Sequence, residues 1–181
     1  MKIELNGKTA IIVGGSGGLG EAMAHTLSEA GAAIALVGRN QAKLDKVAGD
    51  LKAKGGKVES FAADMTSESD VARLAKDVNA KFKNPQILIN SAGINIRKPV
   101  TEFSLKEWTS VVDSSLVTTF LACHAFVPGM KGTGYGRIIN LSSIMAHISL
   151  PGRTAYSSGK SGLLGFTRSL ALELASEGIT V

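Results

Sequence analysis

The stretch Thr9-Ala10-Ile11-Ile12-Val13-Gly14-Gly15-Ser16-Gly17-Gly18-Leu19-Gly20-Glu21-Ala22-Met23-Ala24-His25-Thr26-Leu27-Ser28-Glu29-Ala30 decides how this chain folds. Thr9 to Val13 is a short apolar run of the kind that makes a buried strand, and from Glu21 on Ala22, Met23, Leu27 and Ala30 recur at helical spacing. Between them five glycines fall within seven residues. The pattern is strand, glycine turn, helix. The turn parses two ways, as Gly15-x-Gly17-x-x-Gly20 or as Gly14-x-x-x-Gly18-x-Gly20. Either brings backbone amides and a helix N-terminus up to a pyrophosphate. The same glycines would also serve a turn needed only for tight strand-to-helix packing.

Outward from this unit the alternation repeats. Strands are expected at Ala33–Val37, Lys57–Ala62, Ile87–Ile89 and Arg137–Leu141, and helices at Gln41–Lys54, Ser67–Phe82, Ser104–Val127 and Thr154–Ala175. Ser104 precedes Glu107 by the capping-box spacing, which opens the third of these helices. Apolar strands alternating with helices imply an α/β, doubly wound parallel sheet with helices on both faces, with ligands at the carboxyl ends of the strands. Gly178–Val181 reads as the start of a sixth strand, so the sheet is expected to be cut short there. A chain of 181 residues that is 44% hydrophobic suits one domain over 1–181.

Composition narrows the setting. Cys123 is the single cysteine, so no disulfide framework or cysteine-based metal site is expected, and a reducing cytoplasm is the natural location. The opening residues are polar, and no apolar run is read as long enough to span a membrane. The net charge of +5 comes from lysines mixed with acids on helix faces, as from Ala42 to Lys57, which reads as solvated surface rather than a nucleic-acid patch.

Chemistry concentrates in the segment from Ser142 to Lys160. Tyr156 and Lys160 stand four apart on one helical face, so an ammonium beside the phenolic oxygen makes tyrosine a usable acid. Ser143, at the end of an apolar run, can orient a carbonyl by a hydrogen bond. After the second strand, where a dinucleotide site for NAD wants an acid, Gly38-Arg39-Asn40 stands instead and no carboxylate follows before Asp45. The planar fork of Arg39 suits a phosphate, which favours NADP over NAD. His25 and His124 read as packing or surface residues, while His147 and Arg153 lie in the loop between Ser143 and Tyr156, where substrate would pass.

Taken together these residues resemble the short-chain dehydrogenase/reductase family, with its Rossmann-type fold, over the whole chain. Gly14, Gly18 and Gly20 match its cofactor turn, Asp64 its adenine-contacting acid, Asn90–Gly93 its Asn-Asn-Ala-Gly motif, and Ser143, Tyr156 and Lys160 its catalytic serine, tyrosine and lysine. The resemblance implies that Tyr156 exchanges the substrate proton, Ser143 holds the carbonyl, and Lys160 eases proton loss from the tyrosine while binding the nicotinamide ribose. It implies cofactor contacts at Gly14, Ser16, Gly17, Gly18, Leu19, Gly20, Arg39, Asn40, Asp64, Met65, Asn90, Ala92 and Gly93, joined by Tyr156 and Lys160. It implies a homodimer or homotetramer formed through helices 104–127 and 154–175.

The departures are specific. Val13 replaces a usual threonine, Ser91 the second asparagine of the motif, and Gly17 stands where many NADP-preferring members carry a basic residue. Ser115 occupies the place of an asparagine that helps hold a water-mediated proton path, and is carried here as a fourth catalytic position. Family members also continue past the sixth strand into substrate-covering helices, so the sequence reads as truncated relative to a working enzyme. The expected function is an NADP-preferring oxidoreductase acting on a ketone or secondary alcohol. Asn95-Ile96-Arg97-Lys98-Pro99 looks similar to gluconate 5-dehydrogenases, whose basic pair would meet a sugar-acid carboxylate. A 3-oxoacyl-carrier-protein reductase is the alternative within the family, and a catalytically silent cofactor-binding domain the alternative outside it.

Overall fold

The structure, a computed structural model, describes residues 3–181. Strands β1 (Thr9–Val13), β2 (Ala33–Gly38), β3 (Val58–Ala62), β4 (Ile87–Asn90), β5 (Gly136–Asn140) and β6 (Ile179–Thr180) alternate with helices. These are α1 (Gly18–Glu29), α2 (Gln41–Ala53), α3 (Glu68–Phe82), α4 (Leu105–Asp113), α5 (Leu116–Met130) and α6 (Thr154–Leu174). The strands form one parallel sheet in the order β3-β2-β1-β4-β5-β6, the Rossmann-type arrangement expected.

Successive strand residues point to opposite faces, and each face has its own core. Ile11, Val13, Ala35, Val37 and Leu88 meet Val71, Leu74 and Val78 of α3 and Leu121, Ala122 and Phe126 of α5. Ile12, Ile34, Leu36 and Ile89 meet Ala24 of α1 and Leu44, Val47 and Leu51 of α2. On that second face Ile139 of β5, in register with Ile89, is 48% exposed, so the cover of helices stops short of β5 there. Cys123 lies in the first core, and burial pushes its thiol up to about 12.

Two expectations are corrected. The helix read as Ser104–Val127 is two helices, α4 and α5, broken at Ser114 and Ser115. The hydroxyls of Ser110, Ser114 and Ser115 donate to the carbonyls of Glu107, Val111 and Val112, three residues back in each case, competing with the next backbone turn. α5 then runs to Met130, carrying Pro128 within its last turn. Secondly, Leu105–Met130 is long and apolar enough by composition to cross a membrane, contrary to the reading that no such run exists. It spans the break, and 50% of its most apolar window is buried inside the fold, as in a core helix. The capping box is present as expected, with Ser104 Oγ accepting from Glu107 N and Glu107 Oε2 accepting from Ser104 N.

Candidate active site

The register sets the site. Val13 stands beside both Val37 and Asn90, and Asn90 beside Asn140, so the residues that follow each strand share one edge of the sheet. Strand order reverses between β1 and β4, which opens a crevice at that edge. A cavity of about 510 Å³ occupies it, lined by Gly14, Ser16, Gly17, Arg39, Asp64, Met65, Ala92 and Gly93 of the expected cofactor residues. Gly18, Leu19, Gly20, Asn40, Asn90, Tyr156 and Lys160 lie outside its lining, as do Ser143 and Ser115.

The glycine turn has two kinds of glycine. Gly14, at φ +86°, donates its N–H to Val37 O, and a Cβ there would stand 2.9 Å from Ala92 N. A Cβ on Gly20 would collide with Gly14 O, and one on Gly15 with the Leu36 side chain. These three are required by packing alone. Gly18 faces open space, and Gly17 caps α1 without a side chain, so the first amides of the helix remain uncovered.

At the end of β2, Arg39 is exposed and lines the cavity, whereas Asn40 caps α2, its Oδ1 accepting from Lys43 N at 3.0 Å. The Oδ1 of Asn40, a residue expected to contact the cofactor, is thus engaged by the helix, while its Nδ2 makes no hydrogen bond to the described residues. Asp64, two residues past β3, accepts from Thr66 Oγ1 and Thr66 N at 2.7 and 2.9 Å. These bonds, with a smaller contribution from Arg39, hold its carboxyl below the usual range. Thr66 escaped the sequence reading, although an Asp followed two residues later by Thr is a local turn signal.

Ser91 explains its own substitution. Its Oγ donates to Val13 O at 2.7 Å, tying the end of β4 to the end of β1. Asn90 Nδ2 donates to Asn140 Oδ1 at 2.8 Å, and Asn140 Nδ2 to Thr167 Oγ1 at 2.9 Å, so the motif asparagine links β4 through β5 to α6.

Past β5, Ser143 Oγ accepts from Met145 N at 3.2 Å, which leaves its own proton to give. Tyr156 and Lys160 lie in the first two turns of α6, with Lys160 Nζ 5.9 Å from the tyrosine ring centroid. Lys160 is 4% exposed and donates to Leu141 O at 2.6 Å, and burial holds its ammonium below the usual lysine range. The same Nζ stands 3.5 Å from where a Cβ on Gly93 would be, so the lysine joins the α6 cluster to the rim of the cavity. Ser142 Oγ donates to Lys160 O, fixing that turn against β5.

Ser115, at the break, is buried, and its Oγ donates back to Val112 O in the last turn of α4 at 3.3 Å. The outward link belongs to its neighbour: Ser114 Oγ accepts from Ile94 N at 3.0 Å, holding the loop that follows Gly93. Gly159 lets α6 approach here, since a Cβ would stand 2.7 Å from Ser115 Oγ.

Family membership follows from the whole sequence. Residues 8–181 match the family model described as short chain dehydrogenase. The chain belongs to the short-chain dehydrogenase family. It is 36% identical over 179 residues to a D-beta-hydroxybutyrate dehydrogenase of Rhizobium meliloti, covering 96% of this chain and 68% of that one. It is 34% identical to the 3-oxoacyl-[acyl-carrier-protein] reductase FabG of Pseudomonas aeruginosa, covering 99% and 72%. Among solved structures, a metagenomic short-chain oxidoreductase in complex with NADP superposes with a TM-score of 0.93 at 32% identity, covering 97% and 80%. Short-chain dehydrogenases of this kind are NAD(P)-dependent oxidoreductases, and this chain is one of them.

The loop after β4 departs from the sequence reading within this dehydrogenase. Lys98 does not stand free beside Arg97: its Nζ donates to Glu107 Oε1 at 2.7 Å, and Arg97 alone is exposed. The bond from Lys98, with those from Ser104, lowers the Glu107 carboxyl from 4.5 to about 2. A carboxyl depressed by folding adds stability that is present above its unfolded value and lost as pH falls towards the folded one. Melting temperature should therefore fall more steeply for the wild type than for Glu107→Gln between pH 4.5 and about 2. Parallel curves would show that the pair contributes nothing.

Proposed function

We propose that this short-chain dehydrogenase exchanges hydride between NADP and a ketone or secondary alcohol of a small molecule. The pairing of Tyr156 with Lys160, whose Nζ stands beside Gly93 on the rim of the Arg39-lined cavity, carries the reading. Gly14, Ser16 and Gly17 with the open start of α1 suit a pyrophosphate, Asp64 and Met65 an adenine, and Arg39 a ribose phosphate. Bound there, the nicotinamide would supply or accept the hydride. Ser143 donates to the carbonyl oxygen, Tyr156 gives or takes the proton there, and Lys160 keeps positive charge beside the phenol. Ser115 packs behind Lys160 and Gly93. Sugar acids are the substrate class we favour, with Arg97 as the exposed cation left to meet them.

A second reading, 3-oxoacyl-carrier-protein reduction, is favoured by the similarity to FabG across nearly the whole chain and by the net charge of +5, which suits an acidic carrier. NADPH oxidation followed over a panel of oxo acids, simple ketones and acyl-carrier thioesters separates the two, and no turnover on any of them would sink both. The cofactor choice has its own test. Arg39→Ala should raise the Michaelis constant for NADPH by roughly tenfold, the worth of one charge-assisted hydrogen bond. That for NADH should hardly move; equal changes in both would refute the assignment of Arg39.

We place assembly into a homodimer or homotetramer on the stretches 104–127, now α4 and α5, and 154–175, where Phe120 of α5 and Leu172 of α6 are 48% and 83% exposed. The buried, unpaired Cys123 suits a reducing cytoplasm.

A further inference from the structure

The phenol of Tyr156 is flanked by two cations, one turn to either side along α6. Lys160 Nζ lies 5.9 Å from the ring centroid and has Leu141 O as its acceptor. Arg153, three residues before the tyrosine, lies with its guanidinium carbon 5.8 Å from the same centroid. Its Nε is buried and has no hydrogen-bond partner, and among the described residues no carboxylate lies within 4.0 Å of it.

A buried donor on a cation is costly to leave unpaired, because it has lost water and gained no acceptor. Lys98, whose backbone N–H donates to Gly152 O beside Arg153, has its ammonium held by Glu107. A guanidinium is a planar fork matched to a carboxylate. We propose that Arg153 recognises a carboxylate on the substrate, so that the chain acts on short free oxo and hydroxy acids in preference to neutral carbonyl compounds or thioesters. The inference rests on Tyr156 being the proton-exchanging group. Because the guanidinium sits beside that ring, carboxylate and reacting carbonyl are separated by only a few carbon atoms.

Acetoacetate and its methyl ester carry the same ketone and differ in the charge Arg153 would read. With NADPH, the wild type should reduce the acid with a kcat/KM at least about tenfold above that for the ester. Arg153→Gln should erase this preference through the Michaelis constant of the acid, and Arg153→Lys should restore part of it. Equal losses on acid and ester would overturn the proposal, since they would mean that Arg153 only props the tyrosine ring; so would a wild type that prefers the ester. If neither compound is turned over, binding alone decides the subsite. Calorimetric titration of acetoacetate into the wild type with saturating NADP should then give heat that Arg153→Gln removes. Absence of heat, or equal heat in both, overturns the proposal.

Discussion

Tyr156→Phe should lower kcat by roughly a hundredfold to ten-thousandfold, the usual worth of a positioned general acid or base. Its melting temperature and its affinity for NADPH should stay where they were. The phenolic oxygen has no hydrogen bond to the described residues, so removing it orphans no buried partner and opens no cavity. The ring keeps its place between Arg153 and Lys160, whose distances of 5.8 and 5.9 Å are to its centroid rather than to its hydroxyl. What disappears is the phenolic proton beside Lys160. Turnover measured with whichever carbonyl compound the wild type reduces best is the readout, beside NADPH titration by fluorescence. A variant retaining kcat within a few-fold would move the proton transfer elsewhere, with Ser143 the next group to test.

Much of this site was legible in the sequence because it is written in local patterns. Strand, glycine turn and helix follow from periodicity and from residues without side chains, and the position of Tyr156 relative to Lys160 follows from helical spacing. Three features were not legible, for one physical reason: they depend on what a polar side chain finds across space. Ser114 and Ser115 sit in a stretch whose apolar rhythm runs on unbroken, and only the competition of their hydroxyls for carbonyls divides α4 from α5. Asn40 is expected only as a cofactor contact, and that its Oδ1 also caps α2 is seen only once Lys43 N is found against it. Lys98 reads as half of a basic pair until Glu107, nine residues on, is found against it. Arg153 is the converse case, a loop arginine that sequence places on the substrate's path and whose buried, unpartnered Nε is seen only in the structure.

Gly20→Ala separates the two meanings that the glycine turn carries in sequence. Alanine gains about 1 kcal/mol of helix propensity over glycine in a helix interior. Here the new methyl would run into the carbonyl oxygen of Gly14, and that carbonyl cannot retreat. Gly14 N is bonded to Val37 O at 2.8 Å, Gly14 O accepts from Gly17 N at 3.0 Å, and Ala92 N stands on the far side of its Cα. Overpacking of this kind costs about 1–3 kcal/mol and sometimes more, so the net effect should be destabilising. For a chain of this length each kcal/mol lowers the melting temperature by roughly 2–4 °C. The start of α1 must also swing away from β1, so NADPH affinity should fall together with stability. Gly18→Ala, in the same turn, has open space around its Cβ and should melt at or above the wild-type temperature. If it nevertheless loses NADPH affinity, Gly18 is kept for the approach of the cofactor and Gly20 for the packing of the fold. If Gly20→Ala melts like the wild type, the turn is not built around the Gly14 carbonyl, and the arrangement of β1 against α1 described here is wrong.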